Sequence, residues 1–306
     1  MHKNRLPLLL PLRRQLLMLL LAVAAAAATA QDRLLPELMP QALTPGVDTL
    51  RTYQHIVLQV NEPTVQLPAS FRGTEPNILE DSLEVLAPFW EKLRRSLLRT
   101  RADSVRIVHI GDSHVRGHLF PRAAGELLQR RFRRLSYTDR GINGATCVSF
   151  TNEARIQQIA ALKPDLLILS LGTNESHNRR YNSQTHYHQL DELVRLLRAA
   201  LPDVPLLLTT PPGSYDRSGT RRRRTYKVNP RTEPAARTIR RFALHHGLAV
   251  WNLYEIAGGS RQAARNWWEA GLMRPDHVHY LAPAYVLQGE LLAQALIYGY
   301  NDYVGY

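Results

Sequence analysis

The sequence predicts an α/β chain: a three-layer α/β/α sandwich around a five-stranded parallel sheet. Two patterns carry that expectation. Continuous apolar runs recur at 105–110, 166–171, 204–210 and 248–253, with a weaker run at 135–140, and such runs belong to strands buried on both faces. Between them lie stretches whose apolar residues fall three and four apart, the repeat of a helix packed on one side. Strand alternating with helix in this way is the pattern of a doubly wound, flavodoxin-like sheet with strand order 2-1-3-4-5.

The elements follow in chain order. In residues 1–30, "MHKNRLPLLLPLRRQ" places Lys3, Arg5, Arg13 and Arg14 ahead of "LLMLLLAVAAAAATA". That is the layout of a cleavable secretory signal, its strongly apolar part too short for a bilayer span. Residues 31–99 form a lead-in, with "HIVLQV" (55–60) as a short strand. From Asn77 the spacing predicts a helix to residue 99, acids early and Lys92, Arg94, Arg95 and Arg99 late, with Pro88 as a kink. Helices are then expected at 121–132, 153–163, 189–201, 234–247 and 283–297, each separated from the next by a strand or loop. The catalytic domain is taken as 100–298 and residues 299–306 as a C-terminal tail.

Composition narrows the function classes. The chain has 306 residues, 44% hydrophobic, and a formal net charge of +13. Losing the four basic residues of the signal leaves 13 − 4 = +9, so a secreted or periplasmic protein would meet anionic cell-envelope polymers or lipid headgroups rather than nucleic acid. The lone Cys147 excludes an intramolecular disulfide and reads as a small buried hydrophobe.

Ligands of such a sheet bind beyond the carboxyl ends of the strands, where the winding reverses. Strand one ends in "GDSH", placing Ser113 there, and strand three ends in "GTNE", placing Asn174 across the same crevice. A serine needs a base, and the base needs an orienting group. The turn "MRPDHVHYLAP" offers Asp276 and His279, three apart, so that the carboxylate can fold back onto the imidazole while His277 points away. A developing oxyanion would find donors in the Ser113 N–H, the Asn174 amide and a glycine N–H of "GINGAT", either Gly141 or Gly144.

Taken together, "GDSH", "GINGAT", "GTNE" and "DHVH" resemble, in order and spacing, the four blocks of the SGNH (GDSL-like) hydrolase superfamily over about 100–298. The resemblance implies Ser113 as nucleophile, His279 as general base and acid and Asp276 as its orienter. It also implies Gly144 and Asn174 as oxyanion donors beside the Ser113 amide, with no metal and no organic cofactor. Three departures stand out: His114 where leucine is frequent, Glu175 where aspartate is common, and two glycines in the second block.

Several residues carry competing readings. Asp112 reads as structural. His114 and Arg116 are solvated at the cleft rim or touch substrate. The run Arg221, Arg222, Arg223 and Arg224 with Lys227, in a long loop after strand four, is a solvated face or holds an anionic substrate. Trp251, Trp267 and Trp268 pack the core, unless Trp268 forms a sugar-stacking wall. The expected activity is an exported serine esterase acting on carboxylic, foremost O-acetyl, esters of an acylated carbohydrate or a small ester. The alternatives are an O-acetyltransferase with the same triad, and a metal-dependent phosphodiesterase with His109, Asp112, His277 and His279 as ligands.

Overall fold

A computed structural model describes residues 58–98, 104–220 and 223–305; the signal at 1–30 lies outside the described residues. The sheet has six strands: β1 (Leu79–Glu80), β2 (Val105–Gly111), β3 (Leu135–Gly141), β4 (Leu166–Ser170), β5 (Leu206–Thr209) and β8 (Ala249–Trp251). Their order is β1-β8-β5-β4-β2-β3. The last five are the predicted parallel strands in the 2-1-3-4-5 order. The sixth, β1, pairs antiparallel to β8, Leu79 opposite Trp251.

The apolar runs are continuous because both faces are covered. Val105, Ile107, Leu166, Ile168, Leu207 and Trp251 enter one core cluster, and Val108, Ile110, Leu167, Leu169, Leu208 and Val250 enter the other. The first cluster is closed by α1 (Ala87–Leu97), α3 (Leu119–Arg131) and α11 (Ala282–Gly305), the second by α5 (Glu153–Ala160), α7 (Ser183–Ala200) and α8 (Thr232–His245).

Four expectations are corrected. The helix expected from Asn77 starts at Ala87, with Pro88 in its first turn rather than at a kink, because proline fits where no N–H is needed. The Asp81 carboxylate accepts from the Val85 and Leu86 N–H groups just ahead of it. The segment at Leu58–Val60 forms no strand; Val60 exchanges both backbone bonds with the Asn301 side-chain amide, at 2.9 Å each, and His55 to Val57 lie outside the described residues. The supposed tail is the end of α11, where Tyr300 and Asn301 are buried, and the described residues fall within one compact unit. The long arginine loop is a hairpin of β6 (Tyr215–Gly219) and β7 (Arg224–Val228); Arg221 and Arg222 lie outside the described residues. Among the described residues no helix is long and apolar enough to cross a membrane.

The register levels the ends of three strands. Gly111 stands opposite both Gly141 and Ser170, so the loops after β2, β3 and β4 leave the sheet side by side. Two of these ends must be glycine: a Cβ on Gly111 would strike Val115 and the Ser170 carbonyl, and one on Gly141 would strike the Arg116 backbone.

Candidate active site

The first loop carries Ser113. Asp112 caps the short helix α2 (Ser113–Arg116) by accepting from the His114 N–H at 2.9 Å, so Ser113 is fixed at its first turn. Burial pushes the Asp112 carboxyl up to about 7, the His114 N–H pulling the other way.

The loop before α11 carries His279, the candidate base. Asp276 Oδ1 accepts from the Val278 and His279 N–H groups at 2.9 and 2.8 Å, and Oδ2 lies 3.1 Å from His279 Nδ1. A carboxylate only accepts, so Nδ1 carries the proton and Nε2 is left to accept from the Ser113 hydroxyl, 2.9 Å away. Burial works against the Asp276 charge, yet these donors hold its carboxyl below the usual range. His277 takes a left-handed φ of 58°, which turns its ring away from His279, as expected. That ring is clamped between Tyr226 of β7 at 3.7 Å and Trp268 at 3.9 Å, and its carbonyl accepts from the Tyr215 N–H. The hairpin therefore holds the turn that presents His279.

The second and third loops meet at Asn174, in α6 (Thr173–His177). Its Nδ2 donates to the Ala145 carbonyl at 2.9 Å and lies 3.5 Å from Asp112 Oδ2, which orients the amide and leaves its second hydrogen weakly engaged. Gly144, one residue earlier, has φ +71° and open space around a would-be Cβ. Gly144 is thus demanded by conformation and Gly141 by space, which separates the two glycines of the second block.

Sequence reasoning noted Glu175 only as a departure. Its buried carboxylate accepts from the Cys147 N–H at 2.8 Å and the Gly172 N–H at 2.9 Å, tying the Gly144 loop to the Asn174 loop. The readable signal was a glutamate three residues after Gly172, the spacing at which a helix-entry carboxylate reaches back. Glu175→Ala is expected to cost about 2–5 kcal/mol by stranding two buried donors, measured by urea unfolding. Cys147 is buried as expected, and burial pushes its thiol up.

The remaining candidates divide. Ser113, Arg116, Asn143, Arg274, His279 and Tyr285 line one cleft of about 570 Å³. Arg274 lies in the turn that brings His279 to Ser113, where only the acid and the histidines stood out in the sequence. His114 is not at the rim: it is 5% exposed, with Nδ1 2.8 Å from the Tyr285 hydroxyl, and burial holds its imidazole down at about 3, neutral. Arg223 and Arg224 are exposed on the hairpin and do not line the cleft. Trp251 and Trp267 are buried, whereas Trp268 is 42% exposed with a face on His277. The ligand set of the phosphodiesterase reading does not converge: His109 is engaged by Tyr137 and Ser170 inside the sheet, and His277 is in its aromatic clamp. Among the described residues, a larger cavity of about 670 Å³ beside Trp90 and Tyr303 is lined by no nucleophile and base pair.

A family model for GDSL-like lipases and acylhydrolases matches residues 109–285, more than half of the chain. The chain belongs to the GDSL-like lipase/acylhydrolase family. It is thus an ester hydrolase of the SGNH type, as its four motif blocks implied. Among solved structures, a peptidoglycan O-acetylesterase superposes with a TM-score of 0.62 at 18% identity, over 71% of this chain and 97% of that one. A GDSL-like lipase from Bacteroides thetaiotaomicron matches with a TM-score of 0.46 at 19% identity, over 68% and 96% of the two chains. A carbohydrate esterase family 3 protein from Talaromyces cellulolyticus matches with a TM-score of 0.46 at 15% identity, over 65% and 99%. The first of these likenesses establishes the α/β/α fold of the GDSL-like hydrolases. No curated protein matches this chain.

Proposed function

We propose that the chain is an exported serine esterase that removes O-acetyl groups from a glycan of the cell envelope or another acylated carbohydrate. The observation that carries the proposal is the continuous relay from Asp276 through His279 to Ser113, at 3.1 and 2.9 Å. In the first half-reaction, Ser113 Oγ attacks the ester carbonyl as its proton passes to His279 Nε2. The carbonyl oxygen becomes an oxyanion facing the Ser113 N–H, the Gly144 N–H and the Asn174 amide. Collapse breaks the bond to the alkoxy oxygen, which takes the proton from His279 and leaves as the sugar hydroxyl. In the second half, water attacks the acyl-serine, giving its proton to His279, and the tetrahedral adduct releases acetate and restores Ser113.

Support for a small acyl group on a sugar is of two kinds. The cleft is open and flanked by polar and charged side chains, and the same fold carries a peptidoglycan O-acetylesterase. Export rests on the basic, then apolar, then alanine-rich start of the chain.

The test measures hydrolysis of aryl esters of graded acyl length, then acetate release from an O-acetylated glycan with and without a free sugar acceptor. Fastest turnover of acetyl esters, with acetate as the product throughout, is the expected result. Acetyl transfer to the acceptor in place of acetate release would reassign the protein as an O-acetyltransferase. A mature chain from the exported fraction beginning near Gln31 would support export; an intact Met1 in that fraction would overturn signal cleavage.

A further inference from the structure

The cleft holds more positive charge than acyl transfer requires. Arg116 and Arg274 both line it with Ser113 and His279, and no carboxylate is among its lining residues. Arg116 sits at the end of α2, three residues after the serine. Its Nη1 donates to His118 Nε2 at 2.6 Å, and His118 Nδ1–H donates to Asp139 at 2.6 Å. The guanidinium is therefore held in place by an imidazole nitrogen, without its own contact to a carboxylate, and its other N–H groups are left for a ligand. Arg274 is fixed through its backbone instead: its N–H donates to the His279 carbonyl at 2.8 Å, and its carbonyl accepts from the His277 N–H at 2.9 Å. No carboxylate stands within ion-pair distance of its side chain among the described residues. One cation rides on the helix of the nucleophile, the other on the turn of the base, so both are registered to the reacting ester.

We infer that Arg116 and Arg274 form an anion-recognition subsite of this cleft, and that the substrate is an O-acyl sugar bearing a carboxylate on the acylated ring or its neighbour. The inference rests on the esterase reading above. Planar guanidinium N–H groups match a carboxylate bidentately, and a carboxylate in the cleft would gain two charge-assisted contacts that a neutral sugar lacks. Of the hairpin arginines expected from sequence to play this part, Arg223 and Arg224 do not line the cleft.

The experiment compares one O-acetylated oligosaccharide containing a uronic acid with the same compound as its methyl ester, alongside a neutral aryl acetate. The readout is the ratio of kcat/KM for the acid over the methyl ester. Wild-type protein is expected to favour the acid by about 10- to 100-fold, with the preference falling as salt rises. In Arg116→Gln with Arg274→Gln the ratio is expected to fall close to one, whatever the absolute rates. Binding of the acid to Ser113→Ala protein by calorimetry, weakened by the same two substitutions, reads the subsite without turnover. A wild-type ratio near one, or a ratio that survives both substitutions, overturns the subsite while leaving the esterase intact. Loss of the preference in Arg223→Gln with Arg224→Gln instead would move anion recognition to the hairpin and overturn it too. Failure of wild type to hydrolyse even the aryl acetate overturns the esterase reading itself.

Discussion

Ser113→Ala is expected to lower ester hydrolysis by about six orders of magnitude and to abolish covalent labelling by a fluorophosphonate, with the fold unchanged. The loss is that large because the hydroxyl is the only atom that forms the acyl bond, and members of such a relay fail together rather than additively. The fold survives because Ser113 is half-buried at a helix entry whose cap is Asp112, not the serine itself. Circular dichroism melting beside the rate assay separates the two effects. Full activity in the alanine variant, or labelling that persists, would remove Ser113 from the chemistry.

Asn174→Ala is expected to lower kcat by about 10²–10³, the usual loss for one oxyanion donor, with much less change in KM. The donor acts on charge that exists only in the transition state, so ground-state binding should barely register it. The bond from Asn174 Nδ2 to the Ala145 carbonyl adds a second expectation: Asn174→Asp, nearly the same size, should be as damaging as alanine. An acid at that position can offer no amide hydrogen and, ionised, would repel the oxyanion. A defect confined to KM would reassign Asn174 to substrate binding.

The residues readable in advance share one property: their meaning is local. Gly-Asp-Ser ending a strand, Asn174 ending another, and Asp276 three residues before His279 each declare a turn and a chemical type within a few positions. The strand order followed from the alternation of buried strands and helices. Where reading failed, the deciding partner was far along the chain. Leu79 and Glu80 carry a helical spacing but join the sheet because β8 leaves an edge that pairs with them. His114 looks solvated in sequence and is buried because Tyr285, 171 residues later, meets its ring.

The sequence by itself determined the α/β/α class, the parallel strand order and the residues of the Asp276, His279 and Ser113 relay, because hydrophobic period and short-range turn chemistry are written in neighbouring positions. Tertiary structure alone decided which side chains share the cleft. Glu175 became the tie between the Cys147 and Gly172 amides, His277 the filling of an aromatic clamp between Tyr226 and Trp268, and Arg274, rather than Arg223 or Arg224, the charge that joins Arg116 beside Ser113. Each of these depends on the level ends of β2, β3 and β4 and on where a distant loop folds back over them, and no local pattern encodes that distance.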